Sequence, residues 1–147
     1  MADIRRHATA SWQGDKKEGS GKLSAESGEF KDVFHSFPSR FAGESGSNPE
    51  ELIGAAHAAC YNMVIVDVLS DRGNPPEHLE TRATVTLHPD GSGFSVTAVH
   101  LQTEATVPGI DQATFQQVAE TARDNCPISK LLKPGLEQVT IEAKLKS

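Results

Sequence analysis

The sequence predicts an α+β fold built on antiparallel sheet, and two observations carry that prediction. Segments in which polar and apolar residues alternate, as in strands, stand near the start, in the middle and at the end of the chain. Two stretches with helical features, from Asn48 to about Asp71 and from Asp111 to about Asn125, lie between them. Helices and strands do not alternate one by one, as they would in a βαβ chain. The 147 residues fit a single domain, 1–147.

Three strands are predicted in the first third of the chain, at residues 4–13, 22–27 and 30–37. The short stretches EGSG and SGE between them have the glycine and polar content of turns. The following stretch FPSRFAGESGSNP, residues 37–49, is predicted to be a loop from its composition.

The long helix has clear start and stop signals. Asn48 is a good N-cap, Pro49 suits the first helical position, and RGNPP ends the helix after Asp71. Between residues 52 and 66 the helix is apolar on nearly every side, so one sheet cannot cover it. We therefore expect a homodimer packed through this helix, where small residues allow close approach of two backbones: Gly54, Ala55, Ala56, Ala58 and Ala59.

A hairpin, a second helix and a last strand complete the prediction. Residues 79–88 alternate, HPDGSG is typical of a hairpin turn, and the return strand is apolar on both faces. That pattern indicates either a β-bulge or a sheet covered on both sides. Asp111 caps a helix whose apolar stripe is Phe115, Val118, Ala119 and Ala122. A short helix at ISKLL and an alternating strand, 139–145, follow.

Composition and charge exclude several classes of function. The chain has 14 Lys and Arg against 20 Asp and Glu, a net charge of −6, which argues against a nucleic acid or an anionic membrane surface as partner. The apolar stretch 52–69 contains Asp67, which costs about 2.5–3.5 kcal/mol at a bilayer centre, so we expect a buried helix there. No signal peptide is visible, and we expect a cytoplasmic protein with reduced thiols.

Aromatic residues are few, so the core should be aliphatic, with Trp12, Tyr61 and six phenylalanines as its largest side chains.

The two cysteines, Cys60 and Cys126, are the first candidates for chemistry. A lone cysteine in an apolar helix is most often a small buried hydrophobic residue, and reactivity requires a nearby cation. Cys126 precedes Pro127 at the start of a short helix, where a thiolate is stabilised, so local physics favours Cys126 as the more reactive thiol. His57 lies three residues before Cys60, but no matching ligand pair stands near Cys126, and we do not expect a zinc site.

Two charged residues near the long helix complete the candidate set. Arg40 lies between Phe37 and Phe41, and its guanidinium can pair with a carboxylate through two hydrogen bonds. Glu50 is a candidate partner, although a carboxylate at that position also suits the positive end of the helix dipole. Phe37 and Phe41 are either walls of an apolar pocket or ordinary core residues.

Together these residues resemble a known family. NPEELIGAAHAAC at 48–60, RF at 40–41 and NCPISKLL at 125–132 resemble the OsmC/Ohr family of thiol-dependent hydroperoxide peroxidases, and the OsmC branch more than the Ohr branch. The similarity extends over nearly the whole chain. It implies an intertwined homodimer in which antiparallel sheets wrap two long central helices, one from each chain.

The resemblance also implies the roles of the site residues. Cys60 would attack the peroxide, Cys126 would resolve the product as a disulfide, and Arg40 and Glu50 would hold the attacking thiolate. The resemblance thus makes Cys60 the nucleophile, in place of Cys126, which local physics favours. The family implies no metal or flavin, an external dithiol or a lipoyl group as reductant, and a role in the response to oxidative or osmotic stress.

Two other classes of function stay open at this point. One is a non-catalytic binding or structural protein whose two thiols are only buried. The other is a thiol hydrolase with a Cys60–His57 pair, since residues three apart are neighbours on a helix. The sequence shows no third group that would orient such a pair.

Overall fold

The computed structural model describes residues 1–146. The chain separates into two compact units, Met1–Leu52 and a second that begins at Ile53. The prediction of a single domain over 1–147 stays a prediction.

The first unit contains a three-stranded antiparallel sheet in the order β1-β2-β3. Its strands are β1 (Ala8–Gln13), β2 (Ser20–Ala25) and β3 (Val33–His35). The third strand is shorter than predicted, since Asp32 has a φ of 53° and no extended pairing precedes it. The three predicted strands are confirmed in place, with different ends.

The prediction of a loop at 37–49 is wrong for its first residues, because a short helix, α1 (Phe37–Phe41), forms there. Ser36 caps it: the Ser36 hydroxyl accepts a hydrogen bond from the backbone N–H of Ser39, and the Ser39 hydroxyl accepts one from the backbone N–H of Ser36. This reciprocal capping box satisfies two backbone donors that a helix start otherwise leaves free.

The long helix is confirmed as α2 (Pro49–Asp71), and the side-chain oxygen of Asn48 accepts from the backbone N–H of Glu51 at 2.8 Å. One face is buried at three- and four-residue spacing: Gly54, His57, Tyr61, Ile65 and Leu69. The face opposite is exposed, with Met63 at 74% and Val66 at 39%. By length and composition alone α2 would also suit a membrane span, a test that core helices of soluble proteins pass as well.

The second unit contains a three-stranded sheet, β4 (His78–Asp90), β5 (Gly93–Thr106) and β6 (Gln138–Lys146). The hairpin β4–β5 is antiparallel and its register shifts between Thr86 and Leu87, which confirms the bulge alternative. The expectation of antiparallel sheet throughout is wrong at β6, which pairs with β5 in parallel. The helices between β5 and β6 form a crossover that returns the chain in the same direction.

Those crossover helices are α3 (Gln112–Asn125) and α4 (Pro127–Leu132), followed by a 3₁₀ turn at Lys133–Gly135. The Asp111 side chain caps α3, because its Oδ1 accepts a hydrogen bond from the backbone N–H of Thr114 at 2.8 Å. The predicted apolar stripe of α3 is fully buried: Phe115, Val118, Ala119 and Ala122. With Ile65, Leu69, Val99 and Leu101 this stripe lies in the core, which is mainly aliphatic and contains Tyr61 and Phe115 as its aromatic side chains. Fewer aromatic side chains lie in the core than predicted, since Trp12 and five phenylalanines are exposed: Phe30, Phe34, Phe37, Phe41 and Phe94.

Candidate active site

The two cysteines lie in the second unit, on α2 and at the junction of α3 and α4. Cys60 is partly buried and packs against the core, and Cys126 is fully buried. Cys126 ends α3 and caps α4, with Pro127 at the first helical position as predicted. Both side chains are free thiols.

The first turn of α4 brings these thiols together, although they are 66 residues apart in sequence. The backbone N–H of Ser129 donates to the sulfur of Cys126 at 3.5 Å. The backbone N–H of Ile128 donates to the sulfur of Cys60, and the Cys126 thiol is within hydrogen-bonding reach of Cys60. Two adjacent backbone donors therefore contact the two sulfurs, one each.

Burial raises the pKa of the Cys60 thiol, because the ionised form loses hydration. The hydrogen bond from Ile128 acts in the opposite direction, and the neighbouring Cys126 raises the pKa further. The surroundings that the second unit supplies thus favour the neutral thiol. A reactive thiolate at Cys60 requires an additional positive charge.

A positive charge is held in a fixed geometry in the first unit. Arg40 on α1 contacts Glu50 in the first turn of α2 through three hydrogen bonds: Nη2 to Oε1 at 2.6 Å, and Nε to Oε1 and to Oε2 at 3.2 Å. The guanidinium also lies 5.1 Å from the ring centre of Phe41. The Arg40 side chain is 33% exposed and that of Glu50 only 13%. Such a fork between guanidinium and carboxylate orients the arginine more precisely than a single contact.

A cluster of aromatic rings, Trp12, Phe37 and Phe41, reaches Arg40 on α1 through Phe41. Phe37 and Phe41 stack with their ring centres 6.1 Å apart, and Trp12 meets Phe37 edge to face at 5.7 Å. These rings keep about two fifths of their surface exposed. The prediction that Phe37 and Phe41 line a substrate pocket stays a prediction.

His57 has a partner that the sequence did not indicate. Its Nε2 lies 2.6 Å from the hydroxyl oxygen of Ser129, and both residues are buried. Burial lowers the pKa of His57, so the ring is neutral at physiological pH. Its Nδ1 is buried without a hydrogen-bond partner among residues 1–146. The hydrogen bond of His57 to Ser129 does not support the Cys60–His57 pair of a thiol hydrolase.

Residues 1–146 contain no group of three or more His, Cys, Asp or Glu side chains placed to hold a metal ion.

A family model described as "OsmC-like protein" matches residues 42–142. The chain belongs to the OsmC family. Peroxiredoxin OsmC of Escherichia coli (strain K12) is 42% identical over 144 residues, which cover 98% of this chain and 99% of that protein. The organic hydroperoxide resistance protein of Xanthomonas axonopodis pv. citri is 28% identical over 97 residues, or 65% and 66% of the two chains.

Solved structures support the OsmC fold. The crystal structure of an organic hydroperoxide resistance protein OsmC from Legionella pneumophila matches with a TM-score of 0.74 and 22% identity over 98% of this chain and 99% of that one. A likeness at this identity concerns the fold, and it agrees with the mixed α+β architecture of two small sheets. The resemblance seen in NPEELIGAAHAAC and NCPISKLL is thereby confirmed.

Proposed function

We propose that this peroxidase of the OsmC family reduces organic hydroperoxides, with Cys60 as the nucleophile and Cys126 as the resolving thiol. One observation carries the proposal: two free thiols from distant parts of the chain meet at the first turn of α4, each contacted by a backbone donor. The family relationship supplies the reaction class.

In the first step the Cys60 thiolate attacks the distal oxygen of the hydroperoxide. The O–O bond breaks, Cys60 becomes a sulfenic acid, and the leaving alkoxide takes a proton from water. The Arg40 guanidinium stabilises the thiolate and the negative charge that develops on the alkoxide. Glu50 orients the guanidinium through the fork it makes with Arg40.

In the second step the Cys126 thiol condenses with the Cys60 sulfenic acid. A disulfide forms and one water molecule leaves. An external dithiol, either a small molecule or a lipoyl group, then reduces the disulfide by exchange and is itself oxidised to a disulfide. The protein supplies both sulfurs, and neither metal nor flavin takes part in the sequence of steps.

Organic hydroperoxides should be preferred to hydrogen peroxide. Each methylene of a hydrocarbon tail that leaves water contributes about 0.8 kcal/mol to binding. Phe37 and Phe41, the exposed rings beside Arg40, are the proposed apolar contacts. The proposed setting is the cytoplasmic response to oxidative or osmotic stress, which the family resemblance implies.

We also propose that the active protein is a homodimer that joins two copies of α2. The exposed face of α2 includes a run of small or apolar residues, which a second copy would cover: Ala55, Ala56, Ala59, Met63 and Val66. Asp67 lies toward the end of this face. Sedimentation analysis should give twice the 15.7 kDa mass of one chain. A monomer at micromolar concentration would contradict this part of the proposal.

The proposed reaction is tested by counting thiols. One equivalent of cumene hydroperoxide should remove two free thiols per chain without cross-linking chains, and dithiothreitol should restore both. In Cys126→Ser the same addition should leave a sulfenic acid at Cys60 that dimedone traps. If the wild-type protein keeps both thiols after peroxide, the chain is instead the non-catalytic protein with buried thiols.

A further inference from the structure

The short helix α4 is tied to α2 by one buried side-chain hydrogen bond. His57 Nε2 on α2 lies 2.6 Å from Ser129 Oγ on α4, and the two residues are 0% and 3% exposed. The described residues give the His57 ring no other polar partner, since its Nδ1 is unpaired. The ring therefore makes its one hydrogen bond to the helix that carries the resolving thiol.

Ser129 also contacts that thiol directly. While its hydroxyl bonds to His57, its backbone N–H donates to the Cys126 sulfur at 3.5 Å. The preceding residue, Ile128, donates its backbone N–H to the Cys60 sulfur. The residue that His57 anchors thus belongs to the same helical turn as both sulfur contacts.

A helix as short as α4 needs an anchor of this kind. Isolated helices shorter than about 12–15 residues are marginal in water, and α4 has only six. Tyr61, next to Cys60 on α2, donates its hydroxyl to the carbonyl of Ala119 and so ties α2 to α3. The His57–Ser129 bond is the corresponding tie to α4.

We propose that His57 and Ser129 are positioning residues for the resolving step, an inference that rests on the function proposed above. Their hydrogen bond keeps the first turn of α4 in place, so that the Cys126 thiol reaches the Cys60 sulfenic acid before a second hydroperoxide does. In the productive reaction, thiol and sulfenic acid give a disulfide and water. In the competing reaction, sulfenic acid and hydroperoxide give a sulfinic acid and an alcohol, and the enzyme is lost.

The proposal predicts a shift in the partition between these two products. Because both products arise from the same sulfenic acid, their ratio does not depend on the rate at which that acid forms. In Ser129→Ala the hydroxyl is missing and α4 loses its hydrogen bond to His57, which loosens the first turn while the contact of Ile128 with Cys60 remains. The ratio of disulfide to sulfinic acid should fall about tenfold, the rate equivalent of one lost buried hydrogen bond.

The experiment treats full-length protein with excess cumene hydroperoxide and measures both products by intact-protein mass spectrometry. Ser129→Thr, which restores a hydroxyl, should recover most of the wild-type ratio. His57→Phe should match Ser129→Ala, and the double variant should be no worse than either one, since both remove the same bond. Thr81→Val is the matched control, because the Thr81 hydroxyl bonds to Thr103 and to Asn62 of α2 but not to α4.

The outcomes are distinguishable. An unchanged ratio in both Ser129→Ala and His57→Phe overturns the positioning role, and so does an equal fall in Thr81→Val. If the wild-type protein forms no disulfide within one chain, the proposed function fails and this inference fails with it. A normal wild-type disulfide with unaffected variants contradicts the positioning role alone.

Discussion

Two pairs of side chains carry the proposed chemistry, and they lie in opposite environments. Arg40 and Glu50 form a charged pair in the first unit, partly open to solvent and fixed by three hydrogen bonds. Cys60 and Cys126 form a pair of free thiols in the second unit, where burial raises the pKa of Cys60. Among residues 1–146, the charged pair supplies a permanent cation without a nucleophile, whereas the thiol pair supplies nucleophiles and no cation contributes to the pKa of Cys60.

This difference explains how a cysteine can be both protected and reactive. A thiol in apolar surroundings is inert, because its ionised form is poorly hydrated there. The same surroundings strengthen the attraction of any cation that acts on the sulfur. Under the proposed mechanism, the reactivity of Cys60 depends on the Arg40 guanidinium. Variants of the thiol pair and variants of the charged pair test that dependence separately.

The largest effect is expected when the nucleophile is removed from the thiol pair. Cys60→Ser should abolish hydroperoxide consumption with dithiothreitol as reductant, because a hydroxyl is a far weaker nucleophile than a thiolate. A ferrous oxidation assay of residual peroxide measures this loss. Turnover retained in this variant would remove Cys60 from the mechanism, and Cys126→Ser, tested beside it, would show whether the other thiol carries the activity.

The next effect concerns the charged pair. Arg40→Ala should raise the pKa of Cys60 and lower kcat/KM about 100-fold or more, a loss typical of removing one donor to developing negative charge. Alkylation rates measured against pH in a Cys126→Ser background report the titration of Cys60 alone. The matched control is Arg123→Ala, since Arg123 is also 33% exposed and also pairs with a carboxylate, that of Asp124. An unchanged titration in Arg40→Ala, or an equal loss in Arg123→Ala, would contradict the role given to Arg40.

A smaller effect separates charge from orientation within the charged pair. Glu50→Gln keeps the shape of the side chain but leaves the Arg40 guanidinium without its compensating charge. The pKa of Cys60 should therefore fall, while kcat/KM decreases about tenfold because the fork that orients Arg40 is weakened. Titration and turnover should thus change in opposite senses. A rise in the pKa of Cys60 would mean that Glu50 acts in another way.

Local signals in the sequence were enough to predict most elements. Asn48, Asp111 and Pro127 mark the starts of α2, α3 and α4, and the stripe of α3 predicts its buried face. The helix α1 was missed because its Ser36–Ser39 capping box stands beside a stretch rich in glycine and serine. Signals of this kind depend on neighbouring residues, so they can be recognised without knowledge of the fold.

Features that depend on distant residues were not accessible in this way. The parallel pairing of β6 with β5 depends on a crossover through two helices, and no residue of β6 encodes the direction of its neighbour. The Ser129 hydroxyl meets His57 across 72 positions of sequence. The roles of Cys60 and Cys126 came from a family resemblance, since local physics alone favoured Cys126 as the nucleophile.

The smallest effect concerns the stability of the turn that holds the thiol pair. Burial lowers the pKa of His57 below its ordinary 6.5, so between that value and the lowered one the unfolded chain binds a proton that the folded chain does not. The free energy of unfolding should therefore decrease as the pH is lowered below about 6.5. For one such group the decrease is at most about 1.4 kcal/mol per pH unit. Urea unfolding at several pH values between about 5.5 and 7.5 measures it, a range that lies above the titration of ordinary carboxylates.

His57→Gln separates this contribution from those of the other histidines, because only the wild-type chain has the buried imidazole. The variant should lose stability at neutral pH and show a weaker dependence on pH, so that the two stability curves approach each other toward acid. Parallel curves would mean that His57 has the same proton affinity in the folded and unfolded chains. In that case the ring would not be confined to its neutral form, and its Nδ1, unpaired within residues 1–146, would need a partner when protonated.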